Sequence, residues 1–192
     1  MRHEVIDMLI DETLYTGRPE GERLEKELRC YDLLDSLGIE YRRIDHEHAD
    51  TIEACHQVER LLGGEICKNL FLTNRQQTDF YLLFMPGEKP FKTKLLSHQL
   101  GVSRLSFAGP EHMEKLLGVT PGSVTVLGLM NDGDKSVRLL MDRDLLGKAF
   151  FACHPCINTS SIRFTTKDLL EKVIPALGHE ATFVDLPWEA SE

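Results

Sequence analysis

No apolar run in the sequence approaches the roughly 20 residues that a membrane-spanning helix needs, so a bilayer anchor is not expected. The opening MRHEVIDMLIDETLYTG carries acids through its apolar part and lacks the basic, hydrophobic and cleavage regions of an export signal. The chain therefore reads as cytoplasmic. Five cysteines, Cys30, Cys55, Cys67, Cys153 and Cys156, are an odd number, which points to reduced, mostly buried thiols rather than a disulfide framework. Also missing are G-x-x-x-x-G-K-[ST], a G-x-G-x-x-G after a strand, G-x-S-x-G and H-E-x-x-H. Those absences remove support for nucleotide hydrolysis, dinucleotide chemistry and the common hydrolase triads.

What is present is the ordinary composition of one globular domain: 192 residues, 42% hydrophobic and 28% charged. The expected organisation is an N-terminal extension over 1–20, one domain over 21–187 and a short tail over 188–192. A net charge of -9 looks hostile to a nucleic-acid partner, because affinity for phosphate comes from Lys and Arg. The acidity is uneven, however. Residues 1–62 hold 8 basic and 16 acidic side chains, leaving 14 basic and 15 acidic for the rest. Within that remainder Lys89, Lys92, Lys94 and Arg104 form a strip with no acid between residues 89 and 104. It suits a phosphate backbone and equally a solvated helix start.

Apolar residues at steps of three and four predict helices over 22–37, 93–100 and 110–117, with another from about 52 to 62 behind a capping Asp50-Thr51. The runs 69–73 and 80–85 flank a polar turn and read as a hairpin, as do 123–129 and 137–141 around Asn131-Asp-Gly-Asp134. Shorter strands are expected at 39–44, 150–152, 162–165 and 182–186, and a last helix at 166–174. Two hairpins among interspersed helices disfavour a doubly wound parallel sheet. The expected fold is α/β of the α+β type, a mixed, mainly antiparallel sheet wrapped by helices.

Three constellations could carry chemistry. Asp45-His46-Glu47-His48, Cys55-His56 and Cys153-His154-Pro155-Cys156 contain zinc donors, but only one C-x-x-C occurs and no second pair completes a site. A Cys153–His154 nucleophile pair is poorly placed, since neighbours on a strand face opposite ways. The third set is Lys68-Asn69 at the start of a buried strand, the loop Gly118 to Ser123, and His154-Pro155-x-x-Asn158-Thr159. Each part alone has a bland reading as strand end, connection or packed histidine.

Taken in order along the chain, these residues resemble the YbaK/prolyl-tRNA-synthetase-associated domain family, and within it the free-standing alanyl-tRNA(Pro) deacylases. The likeness spans residues 22–186. It rests on Tyr31 to Ile39 (YDLLDSLGI), Asp45-His46 with Thr51-Ile52-Glu53, Cys67 to Leu72 (CKNLFL), Tyr81-Leu-Leu83, Gly118 to Val124 (GVTPGSV), Asn131-Asp132 and His154-Pro-x-x-Asn-Thr159. The resemblance implies a YbaK-like fold whose cleft takes the acceptor end of tRNA(Pro), without metal or cofactor. It implies catalytic roles for Lys68 and His154 and substrate contacts from Thr51, Asn69, Gly122, Ser123, Asn158 and Thr159. The family's G-x-x-x-P loop falls on Gly122 to Val126, where valine replaces proline. On this reading the amides of Gly122 and Ser123 stabilise an oxyanion, Lys68 positions the substrate, and Lys89, Lys92 and Lys94 hold the acceptor stem. Prolyl-tRNA synthetase is a further expected partner, and the chain acts as a monomer or homodimer. Cysteinyl-tRNA(Pro) deacylation and a non-catalytic tRNA- or protein-binding module share the fold and stay open as alternatives.

Overall fold

The computed structural model describes residues 9–48 and 52–189. Two sheets meet along a common core. The first is antiparallel throughout, in the order β1 (Tyr15–Thr16), β2 (Arg42–Asp45), β8 (Ser160–Thr165), β7 (Phe150–Cys153). The second runs β5 (Ser106–Phe107), β3 (Lys68–Thr73), β4 (Phe80–Met85), β6 (Val137–Asp142), β9 (Ala181–Val184). Its β5–β3–β4 half is antiparallel, while β4, β6 and β9 are parallel. A parallel bridge between Ile66 and Ala152 joins the two sheets just ahead of β3.

The helix α1 (Glu25–Ser36) turns Cys30, Tyr31 and Leu34 inward, the i, i+4 stripe of its sequence, into the main core with Phe71, Phe84, Phe151 and Phe164. The helix α2 (Ile52–Leu62) covers Ile44 and Ala152 with Val58 and Leu62. On the outer face of the larger sheet, α3 (Thr93–Leu100) buries Leu96 against Leu72, Leu83 and Leu140. After Pro110 at its first position, α4 (Pro110–His112) continues as a π-helical turn over Met113–Leu117, closed by Gly118 in the left-handed region. The last helical stretch runs α5 (Thr166–Asp168), a π-helical turn Leu169–Val173, and α6 (Ile174–Ala176).

The first hairpin is present with the expected residues; the second is not. Residues 126–131 form a 3-10 helix in place of a strand. Val126, Leu127, Gly128 and Leu129 are all buried, so the run carries no period that separates strand from helix. Its first turn is capped by Thr125, whose hydroxyl accepts from Leu127 N–H at 3.4 Å. Gly128 lies against Leu117, where a Cβ would come within 3.0 Å of the Leu117 carbonyl oxygen. Without a hairpin partner in 123–131, β6 lies between β4 and β9 and pairs with both in parallel. Residues 10–16, read as part of an extension, add a bridge from Ile10 to His46 and the edge strand β1. Among the described residues no helix is long and apolar enough to cross a membrane.

Candidate active site

The edge of β3 facing away from β4 is only partly covered. β5 pairs with Leu72 and Thr73, and at the other end Cys67 N–H donates to the Ala152 carbonyl at 3.2 Å. Antiparallel pairing directs backbone groups alternately to one neighbour and the other. Since Phe71 C=O accepts from Ala108 N–H and Cys67 N–H reaches Ala152, the peptide groups of Asn69, midway between them, also face away from β4. A cavity of about 270 Å³ fills this gap, lined among others by Cys67, Asn69, Phe71, Gly122, Val124 and His154. The larger hollow of about 620 Å³, between Arg42, Phe150 and Arg163, holds none of the expected site residues.

One wall is a turn that the sequence dictates. Thr120-Pro121-Gly122-Ser123 closes with Ser123 N–H donating to Thr120 C=O at 3.0 Å, and Gly122 has φ +87°. Proline at the second position and a positive-φ glycine at the third define a type II turn. Ser123 is buried, with its hydroxyl 3.1 Å from that of Thr120. The expectation that the Ser123 amide serves as an oxyanion donor is therefore corrected: it is spent on closing the turn. The Gly122 amide has no acceptor among the described residues. A Cβ at Gly122 would lie 3.3 Å from Asn158 Nδ2, which puts Asn158 directly beside this turn.

The opposite wall carries His154 just beyond β7. Its Nδ1–H donates to the Ser160 carbonyl at 2.9 Å, which leaves Nε2 as a bare acceptor on a ring that lines the cavity. Behind it Ser161 Oγ stands 3.3 Å from Nδ1 and 2.9 Å from His46 Nε2, while His46 Nδ1 meets the Glu47 carbonyl at 2.6 Å. With both imidazoles neutral, His46 Nδ1–H donates to the Glu47 carbonyl and the Ser161 hydroxyl donates to His46 Nε2. Burial lowers the pKa of both histidines below the ordinary 6.5 and so favours that state. Ser160 is itself held, its hydroxyl donating to Asp45 at 2.5 Å. Burial pushes the Asp45 pKa up, but hydrogen bonds from Arg23, Arg43 and Ser160 outweigh it and keep the carboxylate ionised. His46 and Ser161 thus support the site. The sequence offers His46 as a motif member and a zinc-donor candidate and gives no sign of Ser161, because strand spacing does not reveal which side chains meet across β2 and β8. Thr159 contributes its carbonyl to His46 N–H at 3.0 Å.

Asn69 donates from Nδ2 to the Cys67 carbonyl at 2.8 Å, and its buried Oδ1 has no partner among the described residues. Lys68 is not part of the lining. Alternation sends it to the other face of β3, where Nζ donates to the Lys89 carbonyl at 2.8 Å. Burial lowers its pKa. Thr51 lies outside the described residues.

The basic strip needs one correction. Lys89 is 1% exposed, and its ammonium donates to both oxygens of Asp142 at 2.9 and 2.8 Å and to Asp144 at 2.9 Å. Trp188 closes the cluster, its indole N–H donating to Asp144 at 2.6 Å. A lysine with three carboxylate contacts and no solvent cannot hold RNA. Lys92, Lys94 and Arg104 remain at the surface.

Residues 46–172 match the model of the aminoacyl-tRNA editing domain family. The chain is 31% identical over 153 residues to the prolyl-tRNA editing protein ProX of Acetoanaerobium sticklandii, covering 80% of this chain and 93% of that one. It is 34% identical over 149 residues to prolyl-tRNA synthetase associated domain-containing protein 1 of Danio rerio, covering 77% and 79%. A solved structure of a candidate trans-editing enzyme for prolyl-tRNA synthetase superposes with a TM-score of 0.62 at 19% identity, covering 86% of this chain and all of that one, a likeness of fold. With two thirds of its length matched by the domain model, and with the cavity, turn and histidine assembled at the edge of β3, the chain belongs to the aminoacyl-tRNA editing domain family.

Proposed function

We propose that the cavity hydrolyses the ester of alanine wrongly attached to proline tRNA. The observation that carries this reading is a small, mostly apolar cavity with a backbone donor on one wall and a neutral histidine acceptor on the other. An aminoacyl ester is already activated, so water and oxyanion placement supply most of what its hydrolysis needs. Water donates one hydrogen bond to His154 Nε2 and attacks the carbonyl carbon; the Gly122 amide donates to the developing oxyanion. The acyl C–O bond then breaks, the water proton passes to the ribose oxygen, and free amino acid and tRNA leave. The Asn69 carbonyl, turned away from β4 at the cavity, is an acceptor suited to the substrate α-ammonium group.

Lys68 acts from outside this lining. With one donor on the Lys89 carbonyl it keeps two more for a phosphate of the acceptor end, which is positioning rather than proton transfer. The walls formed by Ile66, Leu70, Phe71, Met113 and Val124 favour a small apolar side chain. A synthetase pocket made for proline gains only about 1 to 3 kcal/mol of discrimination per missing methylene, so alanine needs a second sieve of this kind.

The neutral-histidine requirement gives a signed expectation. His154 has a pKa lowered by burial, so its acceptor form is lost only as pH falls through a value below 6.5. The kcat/KM for alanyl-tRNA(Pro), corrected for spontaneous hydrolysis, is expected to be level from pH 7 upward and to fall below about pH 6.5. A profile that rises as pH drops through this range contradicts the role.

A further inference from the structure

A cavity of about 270 Å³ falls just under the usual range for small-molecule sites, about 300 to 1,000 Å³, so it holds the aminoacyl group while the nucleoside bearing it lies across the rim. Of the residues around the cavity, Phe107, Pro121 and Gly122 are the exposed ones. Phe107 is 61% exposed on the two-residue edge strand β5, a costly position for a large apolar ring unless something covers it. Its ring is not loose: Phe91 meets it edge-on at 6.1 Å, and Phe91 in turn packs on the Leu72–Leu96 core. The chain around this pair is basic. From Lys92 to Gly109 it contains Lys92, Lys94 and Arg104 and no carboxylate, and Leu105 N–H is tied to the Ser97 hydroxyl at 3.0 Å, which fastens the approach to β5 onto α3. The Lys68 ammonium, bound to the carbonyl of Lys89 two residues before Phe91, stands on the same side.

Resting on the function proposed above, the geometry points to Phe107, backed by Phe91, as the stacking platform for the 3′-terminal base of the RNA. Single-stranded nucleic acid is held by aromatic faces that stack bases amid cations that track phosphates, and stacking tolerates any base because every base has a π-face. Here the ring at the mouth, the cations on the segment that presents it and the ester site behind it lie in the order that an aminoacylated 3′ end requires. The occupant is thus the terminal nucleoside, not the amino acid, whose pocket lies deeper between Phe71 and His154.

The test is a binding cycle on the full chain that needs no turnover. An uncharged acceptor-stem minihelix of tRNA(Pro) ending in CCA is compared with one whose last nucleotide is abasic, against wild type, Phe107→Ala and Phe107→Trp. Stacking predicts that removing the base weakens binding to wild type roughly 5- to 150-fold. Phe107→Ala is expected to weaken the intact minihelix by a similar factor and to be indifferent to the missing base, while Phe107→Trp keeps both the affinity and the base dependence. An equal abasic penalty in wild type and Phe107→Ala overturns the platform, as does no penalty in either. A parallel deacylation assay reports separately on the function: a chain that binds with this base dependence yet releases no amino acid contradicts the hydrolytic reading and leaves the platform standing.

Discussion

Asp142→Ala is expected to lower the unfolding free energy by about 3 to 5 kcal/mol, measured by urea denaturation at pH 7. Asp142 is fully buried and supplies two of the three carboxylate contacts of Lys89, which is equally enclosed. Burial alone works against the lysine charge, but the hydrogen bonds that the ammonium donates to Asp142 and Asp144 outweigh it and raise the Lys89 pKa. Removing Asp142 leaves that ammonium with the half-exposed Asp144 as its only carboxylate partner among the described residues, beside Trp188. The pair as a whole is worth less than this loss, because both ions were desolvated to make it. The double variant Lys89→Met with Asp142→Leu is therefore expected to regain most of the stability. A cost below 1 kcal/mol for Asp142→Ala contradicts the buried-pair interpretation. Since the Lys89 carbonyl is the acceptor for Lys68, the same substitution also disturbs the positioning lysine.

His154→Ala is expected to reduce kcat/KM for alanyl-tRNA(Pro) by about 10²- to 10³-fold, within the range for losing a positioned proton acceptor. The cost in stability is smaller, about 1 kcal/mol, since one neutral hydrogen bond to the Ser160 carbonyl is lost. The substitution removes the Nε2 acceptor while leaving the Pro121-Gly122 turn and the Asn69 edge in place, so binding of uncharged tRNA survives. Activity within threefold of wild type contradicts the assignment of His154.

Much of the fold was legible because its signals are local. The α1 stripe, the β3–β4 hairpin and the Pro110 start of α4 each follow from side chains within one element. The 3-10 helix at 126–131 was not, since a run buried on every side has no periodicity, and with it went the parallel placement of β6. The site divides the same way. The Pro121-Gly122 pair announces a type II turn, but not that the turn consumes the Ser123 amide and frees that of Gly122. Lys89 looked like a surface cation because its two aspartates lie more than 50 residues away. Ser161 and Phe107 gave no sequence signal at all: one acts through a cross-strand contact, the other through the gap that a short edge strand leaves beside it.

The most direct measurement is a side-by-side release assay with alanyl-, cysteinyl- and prolyl-tRNA(Pro) at equal concentration. An editing site of this size and lining is expected to free alanine fastest and to leave the prolyl ester at its spontaneous rate. Faster release of cysteine than of alanine moves the substrate assignment to the sister activity. Efficient hydrolysis of prolyl-tRNA(Pro) contradicts the editing function itself.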